Sequence, residues 1–408
     1  MFKNHESHSQ EVLIVGAGIA GLSIARQFQK LNIPYRIIEK RSGITTDGAG
    51  IALPANAIKA LRYMGLGEQI EANAHRVNQI IYTDETGKIL SQASLDQPLL
   101  NHDWFAALHR HKLHEILLQD IKDIQFDTTV EQIHFTEHGA SIKFNYSSKR
   151  EEFSAIIGAD GVNSRTRRLI FPNNQLMDLG VTIWRWTCQY DTSKLQPTYL
   201  LGPRDIFMVY PISPNEVYCY AHMFDPDDVY SHVNASDMLR KSFAHYGDIV
   251  KEMLTLLPEH DVIVPGRLRS FTQPEFAIEK IALIGDASHA CSPMLQQGAA
   301  SSFEDAIVLS ELMNEFPLDQ AFLYYESFRK ERVCWTLTAS DGPIKSLINV
   351  DEIAVLERNK RIHKNGPLNV LGWQTLFTMD PLAELQKFIA KQKLQTQENS
   401  MKLVADKS

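Results

Sequence analysis

Two loops poor in side chains, and a few polar residues, carry the chemistry this sequence can perform. The first loop, Gly16-Ala17-Gly18-Ile19-Ala20-Gly21, separates the apolar run Val12 to Val15 from a helical pattern. There Gly16 permits a tight turn, Gly18 lets a pyrophosphate reach the backbone, and Gly21 lets the helix pack close to the strand. Ile19 and Ala20 open that helix, whose free N–H groups then face the phosphates. Glu39 ends the next apolar run about 20 residues on, where a carboxylate accepts both hydroxyls of an unphosphorylated ribose. Lys40 and Arg41 follow it and belong to the same end of the ligand. An acid in that place favours FAD or NAD over NADP.

The second loop starts at Gly285-Asp286, the tip of the apolar run Ile281 to Ile284, and continues through Pro293, Gln297, Gly298 and Ala299. A carboxylate at a strand tip suits a polyol, and bare backbone suits a flat ring system. A helix expected from about Ser302 would turn its positive end toward that ring and favour negative charge on it. A ligand touching both loops must be long. FAD meets that requirement better than NAD.

Candidates for acting on a substrate come from an aromatic-rich segment. Arg185, between Trp184 and Trp186, is placed to hold a carboxylate or oxyanion, or else stacks on its aromatic neighbours. Tyr210, just before Pro211, either hydrogen-bonds a ring hydroxyl or is an ordinary half-buried strand residue. Tyr218, Tyr220 and His222 alternate onto one strand face, where they either roof a pocket or pack, and packing is the favoured reading. His109, His111 and His114 have no third ligand or carboxylate placed beside them, so they read as solvated helix histidines and no metal is expected. His289 reads as part of its loop's own hydrogen bonding, and Cys291 as a small packing residue. No serine nucleophile elbow is present.

Positioning these groups requires a strand–turn–helix–strand unit over residues 12–39, the start of a doubly wound parallel sheet. "HRHKLHEILLQDI" reads as a helix burying Leu113, Ile116, Leu117 and Ile121, and "AIIGADG" as another buried strand. From Val181 to about Phe224, strand-forming and aromatic residues between turn signals predict an inserted antiparallel sheet. The expected organisation is a nucleotide-binding domain in three parts (10–73, 106–180, 276–345) and a substrate domain (74–105, 181–275). C-terminal helices and a flexible tail follow over 346–408. With 408 residues, 44% apolar, the chain can bury about two domains. A formal charge of −8 argues against nucleic acid as the main partner. The polar start, the lack of a long apolar run and four scattered cysteines predict a cytoplasmic protein without a membrane span. A homodimer is left open.

These motifs together resemble the single-component FAD-dependent aromatic monooxygenases, among them salicylate, 6-hydroxynicotinate and urate hydroxylases. The resemblance covers roughly residues 10 to 345. It implies a GR2-type FAD domain, with Gly50 in "GAGIALPANAIKALRYMGL" and Arg110 in "HRHKL" touching the cofactor. It also implies that Val130 meets adenine through its backbone. Asp160, Gly161, Ser164 and Arg167 of "DGVNSRTR" would serve FAD and NAD(P)H, Asp286 the ribityl chain, and Pro293 to Ala299 the flavin ring. The chain departs from the family at Gln296-Gln297-Gly298, where Gly-Gln-Gly is frequent, and at Ala299-Ala300-Ser301. The implied reaction is reduction of FAD by NADH or NADPH, then hydroxylation of a small aromatic or heteroaromatic substrate by O₂ through a flavin C4a-hydroperoxide. Two alternatives stand beside it: oxidative inactivation of an antibiotic or epoxidation, and a flavin-binding sensor without turnover.

Overall fold

The computed structural model describes residues 11–44, 49–100, 103–258, 262–347 and 350–405. The polar start and Gly48, which opens the quoted flavin-side segment, lie outside the described residues.

Val12–Val15 is buried throughout, as befits a run of four apolar residues in a sheet covered on both faces. It pairs in parallel with Tyr35–Ile38 on one side and Ala155–Gly158 on the other. Ile281–Leu283 extends the sheet in parallel beyond Ala155–Gly158, and Ile124–Gln125 flanks Tyr35–Ile38. Ala277–Ile278 adds an antiparallel edge. Register puts Val15 beside Ile38 and Gly158, and Gly158 beside Leu283. The glycine turn, Glu39, Asp160 and Asp286 therefore emerge at one edge, the carboxyl ends of the strands, where open parallel sheets hold their ligands. Helix Ile19–Leu31 packs on helix Gly298–Glu315 beneath that edge.

The second sheet has seven strands in the order Val264–Phe271, Leu176–Gln189, Glu216–Phe224, Asp205–Ser213, Thr198–Leu201, Gln79–Asp84, Ile89–Ser94. It is antiparallel except where Thr198–Leu201 runs parallel to Gln79–Asp84, a pairing the sequence pattern does not reveal. Its first long strand begins at Leu176, before the expected Val181, because Gly180 (φ +68°) absorbs a register shift and lets the pairing resume beyond it. One face buries Trp184, Trp186, Phe207 and Cys219 under helices Ala235–Ser242 and Asp248–Thr255. The other face carries Tyr199, Met208, Tyr218 and Tyr220 toward the parallel domain and the C-terminal helices.

Helix Gly298–Glu315 starts before the expected Ser302, since Ala299 and Ala300, which help to leave its first turn bare, are also strong helix formers. The segment from Lys391, expected to be frayed, continues helix Pro381–Ala405. Among the described residues no helix is long and apolar enough to cross a membrane.

Candidate active site

The nucleotide end is built from close backbone contacts. Gly16 holds φ +106°, and a Cβ on Gly21 would lie 1.8 Å from the Gly16 carbonyl oxygen, so the turn admits no side chain there. At Gly18 the reverse holds: a Cβ would meet nothing within 4 Å. The Glu39 carboxylate accepts the Ala17 N–H at 2.9 Å and the Arg41 N–H at 3.1 Å, tying the second strand's tip to the turn. His114 is half-buried rather than solvated. Its Nε2–H donates to the Ala17 carbonyl at 2.8 Å, and burial lowers its pKa and keeps the ring neutral. His109 caps the same helix and meets Glu216 at 2.5 Å.

A cavity of about 380 Å³ runs from this turn to the second loop. Gly18, Ile19, Ala20, Gly50 and Arg110 line one part, and Asp286, Pro293, Gly298 and Ala299 line the next. One space thus touches both loops, as a single elongated ligand requires. Gly16 and Gly21 sit behind it in the turn; Glu39, Lys40, Arg41 and Val130 do not line it. Lys40 is exposed, and Val130 is buried at the start of strand Val130–Thr136.

Asp160 and Gln297 point elsewhere. The Asp160 carboxylate accepts the N–H groups of Arg165 (2.8 Å) and Thr166 (2.9 Å), the Thr166 hydroxyl (3.1 Å) and the Ser164 hydroxyl, so it fastens helix Arg165–Ile170. From that helix the buried Arg167 donates to the Ala287 carbonyl at 3.1 Å and lies over the Phe271 ring, linking this loop to the one that carries Asp286. Gln297 exchanges hydrogen bonds with Asn56 (2.9 and 3.3 Å), which also donates to Glu304 at 2.8 Å.

Beneath the second loop lies a buried charge cluster. Arg329, fully buried, donates to Glu304 at 2.9 Å and to Asp305 at 2.8 Å, and Arg332 adds a 2.8 Å bond to Glu304. His289 meets Asp305 at 2.6 Å, so its partner is the helix rather than its own loop. The loop is also braced from the C-terminal side: the Trp373 indole N–H donates to the Leu295 carbonyl at 2.9 Å, and Gly372 lies against the Leu295 side chain.

The far end of the cavity belongs to the seven-stranded sheet. Arg185 lines it, whereas Trp184 and Trp186 point to the opposite face, so the arginine is not stacked between them. Its Nε is buried with no hydrogen-bond partner among the described residues. A stranded charged donor costs about 1–3 kcal/mol or more, which an acceptor on a ligand would offset. Arg110 faces the same space; burial lowers its pKa, the Arg185 charge adds to that, and Asp286 opposes it. Asp286 accepts no hydrogen bond among the described residues and is exposed to the cavity. Tyr210 is fully buried behind the wall, against Gln296. Gln296, in a left-handed conformation at φ +56°, donates to the Tyr199 hydroxyl at 2.6 Å, and its Oε1 is buried without a partner among the described residues. Burial pushes Tyr218 up to about 12, and pushes Cys291, also on the wall, up to about 12, so both stay protonated.

Sequence reasoning missed Tyr199, Ile206, Met208 and Leu268 on the wall and set Tyr218 and Tyr220 aside as packing. The alternation in "EVYCYAHMF" did signal a shared face for the last two; which face meets the cavity depends on the sheet's packing.

The open backbone at Gly18, the buried Arg110, the available Asp286 carboxylate and the bare surface at Pro293, Gly298 and Ala299 fit FAD stretched along one cavity. Residues 9–331 match the family model described as FAD binding domain. The chain is 30% identical over 334 residues to the 2-heptyl-3-hydroxy-4(1H)-quinolone synthase of Pseudomonas aeruginosa, covering 79% of this chain and 85% of that one. It is 24% identical over 332 residues to the aurachin C monooxygenase/isomerase of Stigmatella aurantiaca, with the same shares covered. Its fold is similar to that of Klebsiella pneumoniae HpxO complexed with FAD and uric acid (TM-score 0.84, 21% identity, 93% of this chain and 100% of that one).

Proposed function

The chain belongs to the FAD-binding-domain family and is an FAD-dependent monooxygenase using NAD(P)H, and we propose that its substrate is a fused nitrogen heteroaromatic ring bearing an exocyclic oxygen and an apolar substituent, of the 2-alkyl-4-quinolone kind. The observation that carries this reading is the make-up of the cavity's far end. The stranded Nε of Arg185 offers a charged donor, while Ile183, Ile206, Met208 and Leu268 offer an apolar surface that a purine would not fill. The relative at 30% identity, named for a heptyl-quinolone product, supports it.

When bound, FAD supplies electron transfer from NAD(P)H and the activation of O₂. Pro293, Gly298 and Ala299 would hold its ring, Asp286 and Arg110 its polar chain, and Gly18 its pyrophosphate. Arg185 holds the exocyclic oxygen of the substrate and draws negative charge onto it. Stabilising the oxyanion in this way favours loss of the ring N–H proton to solvent, and the anion so formed carries more electron density at the neighbouring ring carbon, where oxygen is to be added. The apolar wall excludes water from that carbon.

The test is NAD(P)H consumption by the holoprotein across 2-alkyl-4-quinolones, hydroxypyridines and purines, with product mass measured. A quinolone that accelerates consumption and gains one oxygen atom is the expected result. Acceleration by purines or hydroxypyridines and not by quinolones overturns the substrate class.

A further inference from the structure

Tyr220 and Arg185 stand directly opposite each other on neighbouring antiparallel strands, and both line the cavity. Two residues on, His222 shares the Tyr220 face, with its Nδ1 3.1 Å from the Tyr220 hydroxyl. His222 is fully buried between Ile183 and Ile206 of the flanking strands, and its Nε2 has no partner among the described residues. Burial pushes its pKa down to about 3, so the ring is neutral and carries a single N–H. If that N–H were on Nε2, a donor would be stranded in the interior, and stranded N–H groups are rarer in folded proteins than under-used acceptors. With the hydrogen on Nδ1, the donor is satisfied by the Tyr220 oxygen and only a lone pair is left over. His114 shows the same preference: its Nε2 faces a carbonyl and must donate, and its buried Nδ1 lone pair is the atom without a partner.

We propose that His222 is a positioning residue that makes Tyr220 a hydrogen-bond donor to the cavity, so that Tyr220 and Arg185 together select a ring substrate carrying an acceptor oxygen at one position and reject one carrying a donor there. Because Tyr220 receives the imidazole N–H, its own hydroxyl hydrogen is free to turn toward the ligand. The inference rests on reading the cavity as the ring site, and it reaches beyond that reading by fixing which hydrogen-bond polarity the site accepts.

The test uses the FAD-loaded protein and three probes of one shape: 4-quinolone, quinoline and 4-aminoquinoline, each titrated by the change in flavin absorbance. Wild type is expected to bind 4-quinolone more tightly than quinoline, and 4-aminoquinoline less tightly. Tyr220→Phe and His222→Leu should each cut the quinolone-over-quinoline ratio by about tenfold, the worth of one hydrogen bond to a charged or well-placed acceptor. The double variant should lose no more than either single one. Quinoline affinity and flavin content should not move, and His222→Gln, which restores a side-chain N–H, should recover the ratio. A His222→Leu protein with the wild-type ratio overturns the proposal. So does wild-type protein that binds 4-aminoquinoline as tightly as 4-quinolone, a result that needs no variant to fold. If the binding ratios hold and no quinolone is oxidised, the substrate proposal above fails and this one stands.

Discussion

His289 Nε2 lies 2.6 Å from Asp305 Oδ2, and that same oxygen accepts the Gly285 N–H at 2.9 Å, so one buried acid holds the turn that presents Asp286 from both sides. Burial alone would push Asp305 up, but His289 and Arg329 outweigh it and hold it well below the usual carboxylate range.

Replacing Asp305 by Asn keeps the shape and removes the charge, leaving Arg329 with Glu304 as its remaining buried partner. Breaking a buried pair in this way costs about 3–5 kcal/mol. Thermal unfolding should shift down accordingly, and the variant should release FAD at lower temperature than it unfolds, followed by the rise in flavin fluorescence. Simultaneous release and unfolding would separate the acid from the turn.

Gly18 and Gly21 should respond oppositely to alanine. At Gly21 the new methyl would sit 1.8 Å from a backbone oxygen, so the turn must open; loss of soluble protein is expected. At Gly18 the backbone is extended (φ −80°) and the methyl enters open space where the pyrophosphate is to lie. Gly18→Ala should therefore leave the apoprotein's stability within about 0.5 kcal/mol of wild type and weaken FAD binding, read by titrating the apoprotein with FAD.

Arg185→Gln should leave FAD content unchanged and lower kcat/KM for the best ring substrate by roughly ten- to a hundredfold, the value of a charged hydrogen bond. Steady-state kinetics on holoprotein would show it. Loss of FAD instead would assign Arg185 to the cofactor.

His222 predicts an acid limb in the stability profile. Its folded pKa is pushed down to about 3 by burial, while an unfolded histidine titrates near about 6.5. Below that point the unfolded chain takes up a proton that the folded one refuses. Stability is then whole above about pH 6.5 and falls by up to about 1.4 kcal/mol per pH unit beneath it. Denaturant titrations between pH 7 and 5 should show this slope in wild type and a shallower one in His222→Leu.

The nucleotide side was legible because its chemistry is local. The turn from Gly16 to Gly21, the acid at the next strand tip and the Gly285-Asp286 tip each declare themselves within a few residues, and the parallel register then brings them to one edge. The substrate side was not. Arg185 could be named from its type, but that Tyr220 faces it, while Trp184 and Trp186 turn away, depends on strand pairing between distant segments. Asp160 and Gln297 carry the right residue types in the right motifs, yet hydrogen bonds to helix Arg165–Ile170 and to Asn56 draw their side chains off the cavity wall. His114 reads as solvated from sequence because a carbonyl partner leaves no pattern there.

Trp373 reaches the Leu295 carbonyl from a helix that lies past residue 331, where the family match ends. The platform on which a flavin ring would rest is consequently propped from outside the shared region. Nucleotide grip and ring placement are thus written in separate stretches of chain, and evolution can retune the second by remodelling the C-terminal helices while leaving the glycine turns as they are.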